Sequence, residues 1–147
     1  MFKNILVPTD GSPLSQEAVI RAVSFAKETG ARITFFCAEQ AFPTMYYGVG
    51  AIFDVNTPAI FREEVDSIAH DILDAAEKMA QTVGVECSKV TLTTAEPYEA
   101  IIEAANRNGC DLIFMASHGR KGIGALLLGS ETNKVLAHTK IPVLVYR

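Results

Sequence analysis

The sequence predicts an α/β domain of the doubly wound kind, a five-stranded parallel sheet with helices on both faces. Three observations carry that prediction. Apolar runs compatible with strands alternate with segments of helical apolar spacing along the chain; turn formers separate successive segments; and residues 5–7, 33–36 and 112–116 are almost continuously apolar. Strict alternation implies parallel strands joined by right-handed crossovers. A strand without a polar side is one covered on both faces.

The elements follow in order. The first strand, FKNILVP (2–8), stops at the turn formers Thr9, Asp10, Gly11 and Ser12. Ser12 and Pro13 then read as N-cap and first helical residue, and Ala18, Val19, Ala22, Val23 and Ala26 recur at helical spacing until Gly30. ARITFFCA (31–38) is a second strand. Phe61, Val65, Ile68, Ile72, Ala76, Met79 and Val83 mark one face of a long second helix that Gly84 ends, with Asp66, Asp71, Asp74 and Glu77 on a solvated face. Strand three is VECSKVTLTT (85–94); Pro97 opens a helix with Ile101, Ala104 and Ala105 inward and Gly109 closing it; CDLIFMA (110–116) is strand four. After a glycine-rich connection, SETNKVLAHT (130–139) reads as a short helix and IPVLVYR (141–147) as the last strand. The result is one Rossmann-like domain over residues 1–147, without repeat or linker.

Composition narrows the function. With 147 residues, 49% apolar, the chain has ample material for one core. A net charge of −4 without any Lys/Arg cluster argues against nucleic acid as a partner. No stretch approaches the ~18 apolar residues of a membrane span, and MFKNILVPTDG is too short in its apolar part for a secretory signal, so no membrane contact and a cytoplasmic location are expected. Cys37, Cys87 and Cys110 lack metal-site or disulfide spacing, and His70 and His138 read as ordinary helix residues.

Two segments depart from the compact pattern. Residues 39–59 have no clear periodicity and carry Phe42, Met45, Tyr46, Tyr47, Ile52 and Phe53; they read as a core cover, a lid or a partner surface. In the last strand, Pro142 suggests an edge position or a strand start, and Val143, Leu144 and Val145 form an apolar edge that invites pairing with a second copy.

The site is expected where open parallel sheets bind ligands, beyond the carboxyl ends of the strands at the point where their order reverses. Strand one ends at Pro8-Thr9-Asp10-Gly11-Ser12, and strand four at Ala116-Ser117-His118-Gly119, running on to Gly129-Ser130 at a helix start. Glycines let backbone N–H groups approach an anion, and a helix start offers unpaired donors. Arg120 and Lys121 add positive charge, His118 is within the loop, and the Ser130 hydroxyl either donates to a phosphate or caps its helix. The loop is no P-loop, because Gly129 stands where a lysine is needed, and there is no GxGxxG after the first strand. Nor is there a GxSxG nucleophile elbow.

These residues resemble a family. NILVPTDGS, DLIFMASHGRKG and LLLGSETNKVLAHTKIPVLVYR together look like the universal stress proteins, over essentially the whole chain. Members that bind ATP carry Gly-x2-Gly-x9-Gly-Ser/Thr, matched here by Ala116, Gly119 and Gly129-Ser130 at the same intervals. The resemblance implies a homodimer through the last strand and ATP, often with Mg²⁺, at the ends of strands one, two and four. It puts Asp10 on the adenine and ribose side, the Ala38 backbone against adenine, and Gly119, Gly122, Gly129, Ser130 and Thr132 around ribose and phosphates. Pro8, Thr9, Met115, Ala116, His118, Arg120 and Glu131 complete the set it implies. Two positions depart from the pattern: Ala116 replaces the first glycine, an obstacle if positive φ is required there, and Glu131 brings a carboxylate to the helix start that should face phosphate. The resemblance leads to a nucleotide-binding stress-response module with at most slow ATP hydrolysis. The alternatives are an interaction or chaperone-like protein working through residues 39–59 with an unidentified protein partner, and an enzyme acting on nucleotides; AMP or cyclic AMP would suit the same donors as ATP.

Overall fold

The computed structural model describes residues 1–42, 57–119 and 128–147. Its elements are β1 (Asn4–Pro8), α1 (Pro13–Thr29), β2 (Arg32–Gln40), α2 (Thr57–Thr82), β3 (Cys87–Thr94), α3 (Pro97–Arg107), β4 (Leu112–Ala116), α4 (Ser130–His138) and β5 (Val143–Tyr146). The five strands form one parallel sheet in the order β3-β2-β1-β4-β5. That is the predicted architecture.

Alternation of side chains along the strands divides the core in two. Ile5, Val7, Ile33, Phe35, Leu112 and Phe114 face α1 and α2, while Leu6, Phe36, Ile113 and Met115 face α3 and α4. Ile5, Leu6, Ile33, Phe35 and Ile113 are wholly inaccessible, and at about 1.5–3 kcal/mol per such side chain they are a main source of cohesion. None of the three cysteines is in a disulfide, and burial pushes the Cys87 and Cys110 thiols up.

Local signals set the helix ends. The Ser12 hydroxyl accepts the Ser15 N–H at 3.4 Å with Pro13 leading the helix, and Gly30 at φ 71° closes α1. Its predicted face, Ala18, Val19, Ala22, Val23 and Ala26, is the buried one. Helix α2 departs from expectation in two ways. It begins at Thr57, a turn before Phe61, and its buried residues are Ala69, Leu73, Ala76 and Ala80. Of the predicted face only Ala76 is buried; Phe61, Val65 and Ile72 are half-buried, and Ile68, Met79 and Val83 are exposed. Alanines let α2 approach the sheet closely, so the larger residues are displaced to its flank.

Strand β2 also outruns its predicted end, because its ladder with β3 continues through Glu39↔Thr93 and Gln40↔Thr94. Glu39 is buried there and accepts from the Thr93 hydroxyl at 3.3 Å. Residues 43–56 of the expected 39–59 loop lie outside the described residues, as do Arg120, Lys121 and Gly122. Phe42 is described and packs edge-on against Phe61, with ring centres 5.3 Å apart.

At the amino ends of the strands a polar lock fixes the sheet. Asp111 accepts the backbone N–H groups of Lys3 and Asn4, the Asn4 amide donates to the Asn108 carbonyl at 2.9 Å, and Thr34 donates to Asn4 at 3.0 Å. The edges differ in character. On β3, Lys89 is held by Asp74 at 2.6 Å and Glu77 at 2.7 Å, which lowers the Asp74 carboxyl and raises the lysine; on β5, Val143, Leu144 and Val145 are half-buried. Among the described residues no helix is long and apolar enough to cross a membrane.

Candidate functional site at the strand ends

The chain winds from β1 through β2 to β3 on one side and then crosses to β4 and β5 on the other. The reversal lies between β1 and β4, where the two crossover connections diverge and leave a crevice at the carboxyl ends. Strand β1 ends at Pro8, whereas β2 continues to Gln40, so Ala38 lies two residues beyond the last β1–β2 pair, Pro8↔Phe36.

After β1 the chain turns on its own side chains. Asp10 Oδ1 accepts the Ser12 N–H at 2.9 Å, Gly11 takes φ 76°, and Gln16 Nε2 donates to the Gly11 carbonyl at 3.0 Å. Thr9 is drawn inward. Its N–H donates to the Phe36 carbonyl at 2.8 Å, and its buried hydroxyl lies 3.1 Å from that of Ser15.

After β4 the chain folds back onto α4. The Gly129 N–H donates to the Ser117 carbonyl at 2.7 Å, and the Thr132 hydroxyl donates to the carbonyls of Ala116 and Ser117 at 3.2 and 3.0 Å. Ser117, absent from the expected site, is buried, receives Gly129 and places its hydroxyl 3.1 Å from His118 Nδ1. The two halves meet at Gly119, where any Cβ would fall on the Asp10 carboxylate. At Gly129 a Cβ would lie 3.0 Å from His118 Cα and 3.1 Å from the Ser117 carbonyl. At Gly129 the close approach is to backbone, whereas at Gly119 it is to the movable end of a side chain.

Helix starts differ in what they leave open. Helix α1 is capped by Ser12, whereas α4 begins from Gly129, which has no capping side chain, and its first intrahelical acceptor serves Asn133. The N–H groups of Ser130, Glu131 and Thr132 precede that bond and, among the described residues, form an open donor set with the positive end of the helix dipole. Ser130 is the first helical residue and exposed, so its hydroxyl does not act as the cap. Ala116 is an ordinary strand residue paired with Tyr146, and its methyl joins the core on the α1/α2 side; no positive φ is needed. Met115 is buried on the opposite side.

Glu131 does not face the crevice. Its Oε2 accepts the Tyr98 N–H at 2.8 Å, and Oε1 lies 3.4 Å from Lys134 Nζ, which raises the lysine. Tyr98 lies outside the predicted site, and nothing in the local sequence of either residue announces the pairing. Among the described residues one concavity of about 460 Å³ runs along the solvent side of α3 by Tyr98 and His138, and another of about 380 Å³ lies between α1 and α2 and reaches Thr9 and Gly11. The strand ends remain the better candidate, because the open donors lie there, whereas the larger concavity runs along α3 and is lined mostly by exposed residues.

The whole chain, residues 1–147, matches the sequence profile of the universal stress protein family. A universal stress protein of Thermus aquaticus is 34% identical over 147 residues, which is 100% of both chains. The solved structure of the hypothetical protein MJ0577, described as a structure-based assignment of biochemical function, superposes with a TM-score of 0.82 at 25% identity, covering 99% of this chain and 95% of that one. A universal stress protein in complex with cAMP superposes at 0.72, also 25% identical, over 99% of this chain and 97% of the other. Sequence and fold agree over the full length: the chain belongs to the universal stress protein family.

Proposed function

We propose that the chain is a cytoplasmic stress-response module that binds ATP, with Mg²⁺, at the β1/β4 crevice and changes its partner contacts with occupancy. The observation that carries this reading is the uncapped start of α4, held by Gly129 and Thr132 against the end of β4 and set beside Gly119 and Asp10. It offers N–H donors to phosphates, while the backbone of Ala38 and the turn from Pro8 to Asp10 flank the position for adenine and ribose. The cAMP complex of a 25% identical relative supports the ligand class. Mg²⁺ suits the site as a companion of the triphosphate, since it is commonly held by one or two carboxylates plus phosphates. Among the described residues no group of three or more metal-binding side chains exists, so the metal would come with the triphosphate.

In this reading the crevice works through backbone N–H donors, with Asp10 Oδ1 engaged by the Ser12 N–H and no residue assigned as general base for a water. Hydrolysis is expected to be slow. The same reading includes a homodimer through Val143, Leu144 and Val145. Calorimetric titration of nucleotide-stripped protein with Mg-ATP, AMP and cyclic AMP tests the site. Micromolar binding of at least one is the expected result, and protein that ignores all three overturns the proposal.

A further inference from the structure

Glu131 is the second residue of α4, in the turn whose N–H groups form the proposed phosphate site, yet its carboxylate leaves that site. It binds the Tyr98 N–H at 2.8 Å. Tyr98 is itself the second residue of α3, whose start lacks a side-chain cap of its own because Glu96 makes no capping bond. One carboxylate thus lies at the positive ends of two helices, where each favours an anion. Lys134 closes the arrangement: its Nζ is 3.4 Å from both Glu131 and Glu96 and 5.1 Å from the centre of the Tyr98 ring, which packs at 5.2 Å against His138.

From this geometry we infer that Glu131 is the positioning residue of the phosphate site: it ties the start of α4 to the start of α3. Its hydrogen bond fixes the direction of the α4 donors, and the same bond turns its charge away from the ligand. The inference rests on the nucleotide reading above. It adds a route out of the site, since any shift of α4 on binding must move or strain the first turn of α3. Without the tie, the donors would still exist but would lose their fixed aim, and a loose carboxylate would swing beside the phosphates.

Geometry and charge make opposite predictions, which makes the tie testable. If Glu131 acted only through its charge, removing it would strengthen phosphate binding. If it positions α4, Glu131→Ala weakens ATP about 10-fold, the equivalent of one charge-assisted hydrogen bond, while adenosine, which lacks phosphates, binds as in the wild type. Glu131→Gln keeps an acceptor for Tyr98 and restores most of the ATP affinity. The experiment is calorimetric titration of wild type and both variants with ATP and adenosine, together with the Tyr98 amide proton shift by NMR. That proton should move upfield in Glu131→Ala and back toward its original position in Glu131→Gln.

Unchanged or tighter ATP binding by Glu131→Ala overturns the inference, as does equal weakening of ATP and adenosine. Should Glu131→Ala not fold, Tyr98→Pro removes the bonded N–H itself at a first-turn position that tolerates proline, and ATP affinity that does not fall in it overturns the tie. Wild-type protein that binds neither ligand sinks the nucleotide reading and this role with it, whereas wild-type binding with an indifferent Glu131→Ala sinks the role alone.

Discussion

At Gly119 the atom that blocks a side chain is the end of the Asp10 carboxylate; at Gly129 it is backbone, His118 Cα at 3.0 Å and the Ser117 carbonyl at 3.1 Å. The difference predicts different costs. A carboxylate can rotate aside, so Gly119→Ala should leave stability within about 1 kcal/mol and weaken nucleotide binding through Asp10. Gly129→Ala must push the end of β4 from α4 and should destabilise by about 1–3 kcal/mol. Urea denaturation of the two variants checks the order, and equal losses would contradict it. Both glycines were legible in the sequence, through the resemblance to the universal stress proteins and their motif. The direction of Glu131 was not, since its partner Tyr98 lies 33 residues away in sequence and only the packing of α3 beside α4 brings the two together. Ser117 was passed over for a similar reason: its part is played through a carbonyl, which every residue has.

Helix α2 shows how an element can be found and its facing misjudged. Large apolar residues at helical spacing located the helix, but Ala69, Ala76 and Ala80 hold the contact with the sheet, and alanine gives a weak periodic signal. The carboxyl end of β2 and the start of α2 lie beyond what local signals mark, while Gly84 does stop α2; the β3 ladder, a nonlocal partner, sets how far β2 runs. On the same helix, His70 Nδ1 lies 2.8 Å from the Asp66 carbonyl and 3.3 Å from its carboxylate. That carbonyl bond, then the Asp66 charge, raises the imidazole above its ordinary value of 6.5, with smaller help from Asp74 and Glu39. A raised folded value means that the native state holds the proton more tightly than the unfolded chain. The stabilisation is complete below the unfolded value and fades as pH rises through the folded one. Denaturation of wild type and His70→Gln should therefore show the larger gap near pH ~5.5 and a vanishing one near pH ~8.5; a gap that grows with pH would refute the assignment.

For the molecule as a whole, strand count, parallel pairing and alternation of layers were legible because they follow from hydrophobic pattern and crossover handedness. Strand order required the structure, since the sequence does not say on which side of β1 the fourth strand inserts. That insertion makes the crevice and leaves β5 at an edge. Ile113 donates to the Pro142 carbonyl and Ser117 to that of Tyr146, so the backbone groups of Val143 and Val145 point away from β4. Val145→Pro removes one outward N–H while sparing the β4 ladder. It should convert the proposed dimer to a monomer in sedimentation experiments with the circular dichroism spectrum retained; wild-type protein that sediments as a monomer would end the dimer proposal.

The opposite edge gives that pairing a limit. A sheet with two adhesive edges could add copies at both and grow into a ribbon, but β3 carries Lys89, anchored by Asp74 and Glu77, and a charge on an edge strand opposes further pairing. Two copies joined across a two-fold axis consume each other's apolar edge and expose a charged one at either end. In the proposed dimer Lys89 is a chain terminator: it would govern how many copies join, and leave to β5 whether they join at all.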